Sequence, residues 1–222
     1  TNILTVEVIR APYPSVVDEK KDPKANFWNL AWNTCQINQI VLTSSGNGVQ
    51  PATVRPEGFQ VWNSNLLAGD YDVDFGSPGE PVSPIRIAGC RNGSFSGKVV
   101  VGSSRPIRSL RASASDLRGS VGRIASSRVR IRYGVPWGSE DITLFYEPSA
   151  YPAGATLLAG LTDEPLDEIP VRGQARAGQR TTAPGAIAPV WITIDVPNDT
   201  PAGTYRGTLT VAAQGEPSVT VP

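Results

Sequence analysis

The sequence predicts an all-β fold, a β-sandwich with Greek-key-like, immunoglobulin-like connections, and three observations predict it. Runs in which apolar and polar residues alternate with period two recur along the 222 residues, as they do on strands with one face toward a core. Glycine (22) and proline (20) are each well above ordinary usage, which discourages long helices. From residue 84 onward, strand-length runs are separated by Gly, Ser or Pro at the spacing of a sandwich.

Taken in order, "NILTVEVI" (2–9) reads as a strand, followed by the mixed-charge solvated loop "DEKKDPK" and then "ANFWNLAWNTCQINQIVLTSS", with a strand at 36–43. "FQVWNSNLL" and "DYDVDF" are short extended pieces. "PIRIAGC", "GSFSGKVVVGSS", "SLRASASDL" and "SRVRIRYGV" are four further extended runs. From Pro136 to Pro189 the pattern weakens apart from "DITLFY", and a connection of that size inside a domain is usually functional or packs as its own excursion. "APVWITIDVPNDTPAGTYRGTLTV" (188–211) reads as a β-hairpin. Val190, Ile192, Ile194 and Val196 share one face with Tyr205, Leu209 and Val211 of the second strand, and Pro197 to Gly203 supplies the turn. "EPSVTVP" is a last strand. The domains expected are an N-terminal β extension or small second β lobe over 1–58 and the sandwich over 59–222.

Composition excludes several classes of function. Twenty basic and twenty acidic residues cancel, so no global field recruits nucleic acid or anionic lipid. No apolar run approaches the roughly 20 residues of a membrane span. Without histidine there is no Ser-His or Cys-His catalysis, and zinc loses its commonest nitrogen ligand. A chain that starts at Thr1 reads as a processed or trimmed product of an exported, extracellular or cell-surface protein. In that setting Cys35 and Cys90 are expected to form one disulfide, the alternative being two small buried hydrophobes.

The order "IRIAGCRNGSFSGKVVVGSSRPIRSLRASASDL", "VRIRYG", a long loop, then "APVWITIDVPNDTPAGTYRGTLTV" resembles the N-terminal β-sandwich of glycoside hydrolase family 123-like proteins over roughly residues 59–222. The resemblance implies that the chemistry lies in a following (β/α) barrel, where an adjacent Asp-Glu pair serves substrate-assisted hydrolysis of N-acetylhexosaminides. Asp163-Glu164 and Asp167-Glu168 are adjacent acidic pairs, but they lie in the proline-rich connection, and the catalytic role is not carried onto them. No catalytic residue and no obligatory cofactor is therefore assigned to this chain.

Binding residues are sought on chemical grounds. Exposed aromatic faces stack on pyranose rings, so Trp28, Trp32 and Trp62, each beside an asparagine, are the carbohydrate candidates against the ordinary reading of core tryptophans. Asp70, Asp72 and Asp74 are spaced by two, which on a strand puts three carboxylates on one face and in a loop can wrap calcium, although the EF-hand pattern fails at Phe75 and Pro81.

Neutrality hides a polarised chain: eight arginines and one acid, Asp116, stand between Arg105 and Arg132, followed by seven acids and no base from Tyr133 to Val171. Arg128, Arg130 and Arg132 against Asp163, Glu164, Asp167 and Glu168 could pair within the chain or between copies, and between copies they would build a homopolymer. The function expected is a non-catalytic module of an exported protein, partnered by a glycan or a downstream catalytic domain. The alternative is a structural subunit of an extracellular filament, built by strand exchange and polarised charge.

Overall fold

The structure is a computed structural model that describes Glu7 and residues 55–136, 156–172 and 183–222. The chain divides into two units, Thr1–Val49 and Gln50–Pro222, and all the elements below belong to the second. The strands expected at 2–9, apart from Glu7, and at 36–43, and "DITLFY", lie outside the described residues.

Twelve strands are described, with no α-helix among them. They are β1 (Phe59–Asn63), β2 (Gly93–Ser103), β3 (Ile107–Arg108), β4 (Arg111–Ala114), β5 (Leu117–Arg118), β6 (Arg123–Ile124), β7 (Val129–Val135), β8 (Gly160–Thr162), β9 (Glu168–Ile169), β10 (Ala186–Val196), β11 (Leu209–Ala212) and β12 (Val219–Val221). A larger antiparallel sheet runs β1-β2-β10-β7-β8 and a smaller one β12-β11-β4, with two-stranded β3-β9 and β5-β6 pairs beside them. The chain passes back and forth between the two larger sheets, which makes the arrangement sandwich-like.

Period two decides the faces. Across the larger sheet, Val99, Val190 and Tyr133 stand in one row, Gly97, Ile192 and Ile131 in the next, and Phe95, Ile194 and Val129 in a third. Against this inner face pack Leu209, Val211 and Val221 of the smaller sheet, joined by Ile107, Leu110 and Ile169 in one core. Each fully buried valine or leucine there is worth about 1.5–3 kcal/mol relative to exposure. The Tyr133 hydroxyl accepts the Ala112 N–H at 3.0 Å, tying the larger sheet to β4 of the smaller one. Burial pushes its phenol pKa up.

β2 breaks the alternation at "VVV", and the reason is its central place. Val99 and Val101 enter the main core, whereas Val100 joins Ile187, Leu158 and Trp62 in a second cluster. A strand covered on both faces reads as a continuous apolar run. Pro189 of β10 has no N–H to donate. It stands where the β7 ladder, which begins at Val190, has stopped, and a Cβ on Gly134 would come within 2.6 Å of its ring.

The segment 188–211 corrects the expected hairpin. β10 lies between β2 and β7, but β11 lies in the other sheet, between β12 and β4. The turn residues do reverse the chain, yet the second strand lands on the opposite layer, and the two apolar faces meet across the core instead of side by side. The last strand expected in "EPSVTVP" is present, as Val219–Val221 paired with β11 across a turn at Gly215, whose φ of +78° suits a residue without Cβ. The connection after β7 contributes β8 to the larger sheet and β9 to the pair with β3.

Candidate functional site

The outer face of the larger sheet is where four of the expected site residues, Trp62, Asp70, Asp72 and Asp74, come together. Trp62 of β1 stands opposite Val100. Its ring lies over Gly102, where a Cβ would sit 2.7 Å from the ring, and its Cβ lies beside Gly76, where one would sit 2.9 Å away. Glycine at both places lets the indole lie flat against backbone. The loop after β1 then folds over this face and pairs with 156–158, through Tyr71↔Leu157 and the hydrogen bonds Leu158 N to Asp70 O and Asp72 N to Thr156 O.

A lysine is buried beneath that loop. Lys98 of β2 is 3% exposed, and its Nζ donates to Asp70 Oδ2 and to the Ala68 carbonyl, both at 2.6 Å. Asp70 Oδ1 accepts the Ser64 hydroxyl at 2.5 Å. The ammonium also stands 5.3 Å from the centre of the Trp191 ring, a cation–π contact. Asp72, 2% exposed, accepts the Thr156 N–H at 2.9 Å. Asp74 turns back on its own loop and accepts the Tyr71 N–H at 2.8 Å.

The three aspartates thus do not share one strand face. The backbone turns at 72–74, with Asp74 N bonded to Tyr71 O, and each carboxylate takes a different donor. Among the described residues no three Asp, Glu or Cys side chains are arranged to hold a metal ion.

Arg55 completes the surroundings. It is 8% exposed, and its guanidinium donates to the carbonyls of Pro184 and Ala183 at 2.8 Å and lies 5.6 Å from the centre of the Phe75 ring. Gly185 makes room for it, since a Cβ there would fall 2.2 Å from the guanidinium carbon. Burial lowers the Arg55 pKa, against the pull of Asp74 and Asp72. Burial also raises the Asp74 carboxyl above its ordinary range; the Tyr71 N–H opposes this, the charge of Asp70 adds to it, and Arg55 opposes it.

Between the loop and the sheet is a shallow hollow of about 440 Å³ whose lining includes Trp62, Phe75, Asp70, Asp74, Ser64 and Ser77. Aromatic carbon beside hydroxyls and carboxylates suits a polyhydroxylated ligand. It does not make a free acid–base pair, because both oxygens of Asp70 are already engaged by Lys98 and Ser64.

Of the other candidates, Trp28, Trp32 and Cys35 lie outside the described residues. Cys90 is exposed with a free thiol, and the expected disulfide has its other half, Cys35, outside the described residues. Arg128, Arg130 and Arg132 lie on or just before β7, with Arg130 and Arg132 opposite Thr193 and Trp191, and among the described residues none of the three makes an ion pair. Glu168 does pair, with Arg108 at 2.6 Å across β3 and β9, in an exposed bridge within the chain. Asp163, Glu164 and Asp167 are exposed.

Sequence reasoning missed Lys98 and Arg55. The signal for Lys98 is a lone lysine in the apolar run "GKVVVG"; for Arg55 there is none short of the fold.

Residues 80–213, more than half the chain, match the family described as "Glycoside hydrolase 123 N-terminal domain". No curated protein matches the sequence. Among solved structures, a similar chain is that of "The details of glycolipid glycan hydrolysis by the structural analysis of a family 123 glycoside hydrolase from Clostridium perfringens", at 22% identity and a TM-score of 0.35, covering 59% of this chain. The chain spans 20% of that enzyme's length. On the match over 80–213, the chain belongs to the family of glycoside hydrolase 123 N-terminal domains.

Proposed function

We propose that the chain is a non-catalytic β-sandwich module that supports or orients a carbohydrate-active catalytic domain. The observation that carries this reading is the family match over 80–213, which concerns an N-terminal domain and not a catalytic one. The geometry of the outer face supports it. The most buried carboxylates there are committed to structure, Asp70 to Lys98 and Ser64, and Asp72 to the Thr156 backbone. Hydrolysis of a glycoside, substrate-assisted or not, needs a carboxyl free to give and take a proton at the glycosidic oxygen.

The test is to incubate the purified chain with p-nitrophenyl N-acetylhexosaminides and follow p-nitrophenol. The expected result is the rate of the buffer alone. Release proportional to protein concentration and retained through a second purification step would overturn the reading.

A further inference from the structure

At the end of the sandwich opposite Val61, the inner faces part and leave an apolar cleft of about 1110 Å³. Phe95, Ile194 and Val196 of the larger sheet line one side, Leu117 and Ile124 the other, and Ile85 and Ile87 enter from the extended run before β2. Phe95, Ile194, Val196, Ile85 and Ile87 are only half-buried, although the same inner face is closed completely at Val99, Val101 and Val190. The charge at the cleft is of one sign: Arg86, Arg91 and Arg206 line it, all exposed, and no acid does among the described residues.

Pro222 also lines the cleft, and its carbonyl accepts the Ile85 N–H at 2.9 Å. A polypeptide joined after Pro222 therefore starts at the mouth of this cleft. We infer that the cleft is the docking face for the domain that follows the sandwich, which presents to it an apolar ridge flanked by carboxylates. The inference rests on the reading of the chain as a module joined to a catalytic domain, and it names the surface that joins them. Two features argue for a protein domain as occupant. The rim places three guanidinium groups for bidentate pairing with surface carboxylates, and a covalent connection after Pro222 would supply a high effective concentration without a strong interface.

Cys90 lines the same cleft as a free thiol and reports on its cover. The experiment compares residues 1–222 with the polypeptide encoded by the whole gene, both carrying Cys35→Ser, and measures maleimide labelling of the Cys90 peptide by mass spectrometry. Cys90 is expected to label at least tenfold more slowly in the longer protein. Arg86→Glu with Arg206→Glu, both exposed, should restore fast labelling there while leaving the melting temperature of 1–222 unchanged. Equal rates in the two proteins would overturn the docking face and leave the proposed function standing. Slow labelling already in 1–222, relieved by extraction with organic solvent, would assign the cleft to a small amphiphile and overturn it as well. A gene with no domain after Pro222 would overturn the proposed function itself, and the docking face with it.

Discussion

The two faces of the larger sheet solve the same problem by different physics. The inner face is apolar and, at Val99, Val101 and Val190, closed by another sheet, so its stability comes from area removed from water. The outer face is covered by a loop, and beneath that loop lie a lysine and two aspartates that must each find a partner. Burial of the first kind tolerates variation in shape as long as volume is kept; burial of the second kind fails when one partner is lost. The lesson is that β10 and β2 are read twice over, once for each face, and a substitution acts according to the side it enters.

The largest effect is expected on the inner side. Ile192, 7% exposed, stands between Gly97 and Ile131 with no polar partner at hand. Ile192→Asp should cost about 4 kcal/mol or more, most of the stability of a marginal domain, and a large drop in the melting temperature followed by near-ultraviolet circular dichroism reads it. Its neighbour Thr193 faces the other way and shares a hydrogen bond with Ser96 at 2.9 Å, so Thr193→Ala should cost only about 1 kcal/mol. If Thr193→Ala melted below Ile192→Asp, the assignment of faces would be reversed.

On the outer side, Lys98→Met removes the ammonium and leaves Asp70 buried with the Ser64 hydroxyl as its remaining partner. The expected loss is about 3–5 kcal/mol in denaturant titration, the ordinary penalty for an orphaned buried charge. Adding Asp70→Asn removes that charge and should recover more than half of the loss. A double variant as unstable as the single would mean that Lys98 acts through its packing under Trp191 and Ala68 and not through its charge.

What could be read from the sequence follows the same division. The inner face is legible because period two needs no partner: Val190, Ile192 and Ile194 declare their side whichever strand lies next to them. The destination of β11 is not legible, because Pro197 to Gly203 shows that the chain turns but not which layer receives it. The outer face is legible only in parts. Trp62 and the aspartates are visible as unusual residues, yet the spacing of two in "DYDVDF" suggested a strand where the chain in fact turns on the Tyr71–Asp74 hydrogen bonds. Nothing local says that Lys98 meets a carboxylate 28 residues earlier. Long-range polar pairing is a property of the fold, and the hollow by Trp62 is built from it.

The smallest of the expected effects concerns Asp74, which sharpens the account of the outer face because its two influences oppose each other. Burial raises its carboxyl above the ordinary value of 3.8, and the Tyr71 N–H and Arg55 pull it down without winning. A carboxyl with a raised pKa in the folded state binds its proton more tightly there than in the unfolded chain. Its contribution is therefore stabilising below about pH 3.8 and is lost as pH rises through the raised value. Asp74→Asn keeps an oxygen to accept the Tyr71 N–H and has no charge to bury, so at pH 7 its melting temperature should lie above that of the wild type, with the gap closing toward pH 4. The opposite order at pH 7 would mean that the attraction between Asp74 and the buried guanidinium of Arg55 outweighs desolvation, and that the loop over Trp62 is held by charge and not merely in spite of it.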